Sequence, residues 1–453
     1  MEPAPPRLAR LTVLAVVLGT ALCSLLARVG ADSRWLAVMG GAVVHTGAVT
    51  TRIPYAATPA HWTNVPVLGE LIFHALEATA GDRGLVLAQL LTVALALSLL
   101  AIDMRAARTP DAAAAVVLIA TVFSAAPALI VVRSQLFSLA LFPALLVLLR
   151  REARLPSRRI WLLVPLVALW SNLHGAVLIG VFVILAYLLL HRLRQQPLVS
   201  CAVAAALVGA LFATPALLRT AGYYAGVLTG EAARRGEGMW APLSPHALFD
   251  VVFVIVAVPL AVLAARSRPA LWECVALAGL AAAAVHANRN TVWFAFFVAG
   301  PAARRLGQGR LSLVGMRRPI FALCLAASAC VLAAGVLQPP IEVNAGDRLI
   351  RVTEAAAKGR PVLADELDAE RLLIAGQRVW IANPLDAFPA NAQREYLDWL
   401  DGNPAGDSLR ARVAGVILVL RRSPAHNRLA GDPAFREIAA DRYAVLYVRR
   451  PSG

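Results

Sequence analysis

The chain has 453 residues, of which 59% are hydrophobic and 15% are charged, and its formal net charge is +16. This composition excludes an ordinary soluble protein, because apolar runs near bilayer-spanning length recur from Leu11 to about Leu337. The charge does not indicate a nucleic-acid partner. Nearly all basic residues are arginines in short clusters between apolar runs, where the positive-inside rule places them beside anionic lipid.

The composition changes near Gln338, where charged residues, prolines and glycines replace the apolar runs. The sequence therefore predicts an α-helical polytopic membrane domain over residues 1–337 and a small C-terminal α/β domain over residues 338–453. The five cysteines all lie in apolar runs without metal-ligand spacing. We accordingly predict no disulfide framework, no zinc site and no cofactor.

The arginine clusters predict the topology. If every cluster is cytoplasmic, each stretch between neighbouring clusters crosses the membrane an even number of times. This gives about eleven transmembrane helices, a last span at about residues 320–337, and an extracytoplasmic tail. The clusters used are Arg7 and Arg10; Arg105 and Arg108; Arg150, Arg151, Arg154, Arg158 and Arg159; Arg192 and Arg194; Arg266 and Arg268; and Arg304, Arg305, Arg310, Arg317 and Arg318.

Three predicted pairs of spans turn at polar stretches on the outer face. "VVRSQ" interrupts residues 111–150, "WSNLHG" interrupts 160–190 and "HANRN" interrupts 270–303. Each half is shorter than the ~20 residues of a full span, so we expect recessed turns within protein or a wet cavity. Ionisable residues at such depth indicate function, and arginine suits phosphate oxygens. The predicted substrate-binding residues of these turns are Arg133, Gln135, Asn172, His174, Arg289 and Asn290.

The first long outer loop, residues 30–83, holds the other candidates. Asp32 follows the end of the first span, where partial desolvation suits a general base; the alternative is an aspartate that merely ends a helix. "VLGELIFHALEATAGDRG" predicts a short amphipathic helix with Glu70 and His74 on one face. A divalent metal stays open at that pair but is not indicated. The predicted substrate-binding residues of the loop are Arg34, Trp62, Asn64 and Glu70.

The tail alternates between helical and strand patterns. We predict a helix and then a strand over residues 347–367, one or two short strands over 371–383, a helix over 391–402, and strands over 411–422 and 441–450. It carries no glycine-rich phosphate loop and no nucleophile elbow. The alternation favours an accessory or acceptor-docking role for this domain.

Together these motifs resemble bacterial polytopic membrane proteins of the GT-C glycosyltransferase superfamily, especially a broad group that carries "W.NLHG". The matching stretches are Asp32 with Trp35, Trp62 with Asn64 and Glu70, "RSQLFS" from Arg133, "WSNLHG" from Trp170 and "RNTVWFAFF" from Arg289. The resemblance spans most of the membrane domain and fades in the tail. It implies a polyprenyl-phosphate-linked sugar as donor, with Asp32 as the acidic residue near the acceptor.

The resemblance predicts a membrane glycosyltransferase of inverting type, acting at the outer face of the plasma membrane on a lipid-linked sugar. Two alternatives stay open: a transporter of a lipid-linked intermediate, and a non-catalytic assembly protein whose tail recruits partners. A transporter should place polar residues on both faces, whereas these lie on one. The chain departs from the family pattern at Leu36, where similar proteins often carry His, and it lacks a second acid beside Asp32. The sugar, the acceptor and any protein partner are not predicted.

Overall fold

The computed structural model describes residues 9–308, a few positions between 319 and 333, and residues 347–413 and 415–450. The chain divides into two compact units, each built from three separate stretches. The bundle unit comprises Met1–Ala27, Val86–Thr214 and Gly236–Gln338, and the loop–tail unit comprises Arg28–Leu85, Pro215–Arg235 and Pro339–Gly453. The loop–tail unit thus joins the tail to the first long outer loop, predicted over residues 30–83, and to much of a second stretch, residues 219–246, that the charge pattern also predicts to be external. The predicted membrane boundary between residues 337 and 338 stays a prediction.

Helices dominate the described chain. In chain order they are α1 (Arg10–Leu25), α2 (Ser33–Thr46), α3 (Val67–Ala106), α4 (Asp111–Ser124), α5 (Ala126–Ile130), α6 (Leu136–Arg154), α7 (Leu163–Ser171), α8 (Val177–Tyr187), α9 (Pro197–Leu211), α10 (Thr220–Thr229), α11 (Glu231–Arg235), α12 (Leu248–Arg266), α13 (Leu271–His286), α14 (Thr291–Gly307), α15 (Asp347–Ala357), α16 (Glu366–Ile374), α17 (Ala390–Leu400), α18 (Asp407–Val413) and α19 (Pro424–Ala430). The strands are β1 (Arg28–Val29), β2 (Val131–Val132), β3 (Leu363–Ala364), β4 (Val416–Leu420), β5 (Phe435–Ala440) and β6 (Ala444–Arg449).

Helix α14 lies at the centre of the bundle unit. Every residue from Thr291 to Ala303 is buried, and nearly all of them are apolar or small, so the helix can be covered on all sides. It packs against α4, α6, α12 and α13. At the edge of the same unit α1 packs on α4, and the Asp111 carboxylate accepts the backbone N–H groups of Leu11 at 3.0 Å and Thr12 at 2.9 Å. These contacts satisfy amide groups that the first turn of α1 leaves without partners.

The helices of the bundle unit break at the three polar stretches found in the sequence. Helix α6 begins after Gln135, α7 ends at Ser171 and α14 begins after Asn290. Among the described residues, Val67–Ala106 and Leu248–Arg266 are long and apolar enough to span a membrane by length and composition. The other apolar helices are shorter, so the total of about eleven spans stays a prediction. The predicted last span falls largely on residues outside the described part of the chain.

Several arginines that the topology argument assigned to the lipid surface are buried in ion pairs instead. Arg150 of α6 contacts Asp103 and donates to the carbonyl of Phe297 at 2.7 Å, and it is 3% exposed. Its Nε lies 3.5 Å from Glu273, which also binds Arg304 at 2.8 Å. A second pair, Arg192 with Glu152 at 2.7 Å, is also buried. A buried charge is costly unless it has a partner, so each arginine is held against its carboxylate. The ion pairs thereby connect different helices.

The loop–tail unit contains a four-stranded sheet in the order β3-β4-β6-β5. Strands β3 and β4 are parallel, whereas β4 and β6, and β6 and β5, are antiparallel. Three predicted regions are confirmed: the helix and strand within 347–367, observed as α15 and β3; the helix over 391–402, observed as α17; and the strands within 411–422 and 441–450, observed as β4 and β6. The prediction of strands beginning at Arg371 is wrong, because that residue lies in α16, which Asp365 caps by accepting the N–H of Asp368.

Helices α2 and α3 cross closely within the loop–tail unit. A Cβ atom on Gly40 would lie 2.1 Å from the Glu70 carbonyl oxygen, and one on Gly41 would lie 3.2 Å from the His74 ring. The face of α3 that carries Glu70 and His74, predicted to be amphipathic, therefore packs against α2. Further along, Gly81 adopts φ 56° and ψ −147° and kinks α3. Glycine reaches this conformation without the steric penalty that a side chain would impose.

Candidate functional site

Two of the polar turns in the bundle unit are joined by the hydroxyl group of Ser138. The indole Nε1 of Trp170 donates to Ser138 Oγ at 2.8 Å, and Ser138 Oγ lies 2.9 Å from His174 Nδ1. The backbone N–H of Ala176 also points to His174 Nδ1, at 3.2 Å. Because a backbone N–H can only donate, Nδ1 must accept, and the proton of the neutral imidazole is then on Nε2. Ser138 thus accepts from Trp170 and donates to His174.

The third turn approaches the same region through aromatic packing. Phe142 lies one helical turn beyond Ser138, and its ring centroid is 6.5 Å from that of Trp170 and 5.5 Å from that of Trp293. Trp293 lies one turn beyond Asn290 in α14. The breaks that carry Arg133, His174 and Arg289 therefore lie at the same end of neighbouring helices. We call Arg133, Ser138, Trp170, His174 and Arg289 the polar-turn cluster.

The guanidinium group of Arg289 is held by an aromatic ring. Its Cζ lies 4.4 Å from the ring centroid of Trp240, which is a cation–π contact. The backbone N–H of Asn288 donates to the carbonyl of Ala241 at 2.9 Å, which ties the turn to the same segment. Arg289 and Arg133 are both half-buried. Oriented guanidinium groups at this depth suit an anionic oxygen ligand.

The three amide side chains of the polar turns that are predicted to bind substrate differ in their contacts. Asn172 Nδ2 donates to the carbonyls of Ala168 at 2.8 Å and Ala213 at 2.7 Å. Asn290 Nδ2 donates to the carbonyl of Ala283 at 3.1 Å. Both amides therefore tie helix ends together. Gln135 is buried, and within the described residues its Nε2 has no hydrogen-bond partner. A ligand amide or phosphate oxygen would satisfy that donor.

In the loop–tail unit, Asp32 begins α2 with an unusual backbone conformation. Its φ is 77° and its ψ is −10°, and its side chain does not cap α2. The carboxylate of Glu370 in α16 accepts the Asp32 N–H at 2.7 Å and the Arg34 N–H at 3.2 Å. It also accepts Asn383 Nδ2 at 2.8 Å. Asp32 is half-buried, and a hydrogen bond to Glu370 of the tail holds its backbone.

The Arg34 side chain is engaged in a bidentate ion pair. Its Nε and Nη2 donate to the two carboxylate oxygens of Asp82 at 3.3 and 3.0 Å, and Arg34 is 4% exposed. The pair connects the start of α2 to the residue that follows the kink at Gly81 in α3. This geometry makes Arg34 a residue that shapes the Asp32 loop. Its predicted contact with substrate stays a prediction.

Trp62, Asn64 and Glu70 lie together in the loop–tail unit. Trp62 packs edge-on against Trp35 at 5.6 Å and Tyr223 at 5.4 Å between ring centroids. Asn64 Nδ2 donates to Glu70 Oε2 at 2.8 Å, and Glu70 is fully buried. Trp62 and Asn64 also line a cavity of about 110 Å³. The remaining lining residues are Val49, Thr51, Thr63, Pro215, Ala216 and Arg219. The mixture of an indole ring, hydroxyl groups and an amide suits a small hydroxylated ligand.

Burial changes the acid–base behaviour of Glu370. Burial, the larger cause, and the nearby negative charge of Asp32 together raise the pKa of Glu370 to about 7, against the opposing effect of the hydrogen bonds from Asn383 and the Asp32 N–H. Elsewhere in the described residues, no group of three or more His, Cys, Asp or Glu side chains is arranged to hold a metal ion.

Two residues of the site were missed from sequence. Ser138 is the last residue of the quoted "RSQLFS" stretch and lies one helical turn before Phe142. A serine in that position was a signal that could have been used. Glu370 stands in "DAERLLIAG", where nothing local marks it, and its contact with Asp32 joins residues 338 positions apart. Asp32 and the polar-turn cluster belong to different units. The charge pattern predicts that both lie on the outer face and so converge in one site, and this convergence stays a prediction.

The fold is similar to that of ArnT from Cupriavidus metallidurans. The crystal structure of apo ArnT aligns with a TM-score of 0.51 at 14% sequence identity, covering 96% of this chain and 96% of ArnT. The structure of ArnT bound to undecaprenyl phosphate aligns with a TM-score of 0.53 at 14% identity, covering 97% of this chain and 98% of ArnT. No protein-family model and no curated protein matches the chain. The predicted helical polytopic architecture is confirmed to the extent that the chain shares the fold of ArnT.

Proposed function

We propose that this protein is an inverting membrane glycosyltransferase that takes a sugar from a polyprenyl-phosphate donor at the outer face of the bacterial inner membrane. The observation that carries the proposal is the fold, which extends over nearly the whole chain and is shared with an ArnT structure bound to undecaprenyl phosphate. The polar-turn cluster and the Asp32 loop supply the two kinds of group that such a reaction requires: arginines for phosphate and a carboxylate for the acceptor.

In the proposed reaction, Asp32 accepts the proton of an acceptor hydroxyl group. The hydroxyl oxygen bonds to the anomeric carbon of the sugar while the bond from that carbon to the phosphate oxygen breaks. The electron pair leaves with polyprenyl phosphate, on which negative charge develops. Attack opposite the leaving group inverts the anomeric configuration. A positioned carboxylate contributes by general-base catalysis, typically a factor of ~10²–10⁴ in rate.

Arg133 and Arg289 are proposed to hold the phosphate. Arg289 is oriented by Trp240, and a guanidinium group binds phosphate oxygens in a planar, bidentate manner. His174, with its proton on Nε2, adds a second type of donor in the same cluster. The buried amide of Gln135 adds a third, since a ligand oxygen would complete its hydrogen bonding. Fixed donors of this kind stabilise the negative charge that develops on a leaving phosphate. Such stabilisation is usually the largest single contribution to the catalytic rate.

The experiment compares binding and transfer in the same purified protein. Asp32→Asn keeps the shape of the side chain and removes the proton acceptor, so we expect transfer to fall at least ~100-fold with little change in polyprenyl-phosphate binding. Arg133→Gln and Arg289→Gln should each weaken binding by about 1.5–3 kcal/mol, the usual contribution of a charged hydrogen bond. Binding is measured with undecaprenyl phosphate in detergent, and transfer by release of polyprenyl phosphate from a panel of lipid-linked sugars.

Arg266→Gln is the matched control, because Arg266 is exposed at the end of α12. Full transfer activity in Asp32→Asn would show that Asp32 is not the general base. Unchanged lipid binding in both arginine variants would remove the donor site and favour an assembly protein. The proposed topology is checked separately: a reporter that works only outside the cytoplasm, fused after Gly453, should be active. Labelling of the tail from the cytoplasmic side alone would overturn the placement of the reaction at the outer face.

A further inference from the structure

Glu370 is a buried carboxylate whose partners are mainly backbone amides. It is 0% exposed and accepts from the N–H groups of Asp32 and Arg34 and from the side-chain amide of Asn383. Its helix, α16, packs directly against α2. Burying a carboxylate is costly unless hydrogen bonds replace its water, and here two of the three donors belong to the first residues of α2. Glu370 thus caps α2 from the tail.

The cap falls on a residue with a strained backbone. Asp32 has φ 77°, in the left-handed region that residues with side chains avoid, although aspartate tolerates it better than most. Such conformations persist where the surroundings hold them in place. The hydrogen bond from the Asp32 N–H to Glu370 is that hold. Because Glu370 accepts this N–H group, α2 is capped without a hydrogen bond from its N–H groups to the Asp32 carboxylate.

The direction of a side chain follows from the backbone that carries it. If the Asp32 backbone relaxed to negative φ, its Cα–Cβ bond would point elsewhere, and a base that must lie within hydrogen-bond distance of a hydroxyl group would be misplaced. The positive end of α2 adds to the attraction for the Glu370 carboxylate, since helix N-termini favour negative charge. The tail therefore contributes to the geometry of the first loop.

We propose that Glu370 is a positioning residue, which holds Asp32 in its left-handed conformation and so aims the catalytic carboxylate. The consequence for catalysis depends on the proposed function, whereas the hold on the backbone does not. This gives the C-terminal domain a part in building the active site, beyond the accessory or acceptor-docking role that its sequence suggests. The same residue also links α2 to the 376–384 segment of the tail through Asn383.

The first test follows amide exchange and needs no activity. Glu370→Gln keeps the size of the side chain but replaces one carboxylate oxygen with an NH₂ donor, so it cannot accept the Asp32 N–H on one oxygen and the Arg34 N–H on the other. We expect peptides that contain residues 31–36 to exchange hydrogen for deuterium at least ten-fold faster, with peptides of β4 unchanged. Glu437→Gln is the control, because Glu437 is exposed on β5. Unchanged exchange at residues 31–36 would overturn the proposal whatever the activity.

The second test measures turnover in the same variants. We expect Glu370→Gln to lower kcat at least ten-fold, with the KM for the lipid-linked donor within two-fold of wild type, and Glu370→Asp to restore part of the rate because it keeps the charge. A normal rate in Glu370→Gln, in a protein where Asp32→Asn is inactive, would overturn the positioning role alone. Activity of Asp32→Asn would instead contradict the proposed function, and amide exchange would still decide whether Glu370 holds the loop.

A third variant covers the case in which Glu370→Gln does not fold. Glycine adopts φ 77° without steric penalty, so adding Asp32→Gly should restore the yield of folded protein. Rescue would support the proposal, because it shows that the lost hydrogen bond had been holding the Asp32 backbone. Failure of both the single and the double variant to fold would overturn it, since Glu370 would then be needed for the tail as a whole.

Discussion

The hydroxyl group of Ser138 and Nδ1 of His174 lie 2.9 Å apart, in the middle of a chain of donors that begins at Trp170. All three side chains are buried, with Ser138 at 0% exposure. The contact joins two breaks between helices that the sequence separates by 36 positions. Together with the Ala176 N–H, which also points to Nδ1, the contact leaves the proton of the neutral imidazole on Nε2, and that N–H is what His174 can offer to a ligand.

Replacing Ser138 should affect both stability and the neighbouring histidine. Ser138→Ala leaves the Trp170 N–H buried without an acceptor, and an unsatisfied buried donor costs about 1–3 kcal/mol. We expect thermal unfolding at lower temperature in Ser138→Ala and near-normal behaviour in Ser138→Thr, which keeps the hydroxyl group. Ser98→Ala is the control, since Ser98 bonds only the Ala94 carbonyl of its own helix at 2.7 Å. Equal stability of the Ser138 and Ser98 variants would contradict the relay.

The close crossing of α2 and α3 makes a second prediction. Gly40→Ala would place a Cβ atom 2.1 Å from the Glu70 carbonyl oxygen, which is backbone and cannot swing away. Forcing the helices apart should cost about 1–3 kcal/mol, typical of overpacking. Gly222→Ala, in α10 with nothing within 4 Å of its new Cβ, should be neutral or stabilising because alanine favours helix. The measurement is the thermal unfolding temperature of the two variants. A Gly40→Ala protein as stable as wild type would contradict the close crossing of α2 and α3.

The buried ion pairs of the bundle unit make a third prediction. Arg150→Gln leaves Asp103 buried without its cation, and losing one partner of a buried pair costs about 3–5 kcal/mol. We expect poor recovery of folded protein from membranes, whereas exposed Arg266→Gln should behave as wild type. Gly300→Ala should act in the same direction, since its Cβ would lie 2.2 Å from Arg150 Nη1. Normal folding of Arg150→Gln would contradict the buried ion pair. It would indicate that the arginine lies beside lipid head groups, as the charge pattern alone suggests.

The fourth prediction concerns pH. Burial, together with the charge of Asp32, raises the pKa of Glu370 from 4.5 to about 7. Between these two pH values the folded protein holds a proton that the unfolded chain has released, so the free energy of unfolding falls as pH rises through this range. The contribution is fully present below ~4.5 and is lost above ~7, on the order of 3 kcal/mol in total.

Glu370→Gln should remove this contribution to the pH dependence. The groups that face Glu370 are Asp32 and Arg34 of α2 and Asn383 of the tail, so Asp32→Asn should weaken the dependence by removing a like charge. The measurement is thermal unfolding at pH 5 and pH 8 in wild type, both variants and the exposed control Glu437→Gln. A Glu370→Gln protein with the wild-type difference between pH 5 and pH 8 would show that another group is responsible.

Local patterns in the sequence predicted much of the secondary structure. Apolar runs interrupted by "VVRSQ", "WSNLHG" and "HANRN" located the helix breaks, because polar groups within apolar segments must lie where they can find partners. Strands β4 and β6 were visible as buried apolar runs. The error at Arg371 arose because "RLLI" is too short to show a period, while the capping aspartate five residues before Glu370 went unused. Strand β5, at the edge of the sheet and mostly exposed, gave no apolar signal.

The candidate site was predictable only in part. Asp32 and the arginines were visible because charged groups beside membrane-length runs stand out. Their partners were not, since Glu370, Asp82 and Ser138 are ordinary residues locally and acquire meaning only through contacts distant in sequence. The arginine clusters show the same limit. Arg150 and Arg192 look like surface charges in sequence, and only folding reveals the carboxylates that bury them.

The contact between Asp32 and Glu370 also sets an order of events during synthesis. The two residues are 338 positions apart, so a ribosome adding ~5–20 residues per second makes Glu370 roughly 20–70 s after Asp32. Throughout that interval the first loop has left the ribosome without the acceptor for its two leading amides. A chain that stops short of the tail has therefore never had its Asp32 loop completed, and a nascent chain reaches a finished loop only after residue 370 has been added.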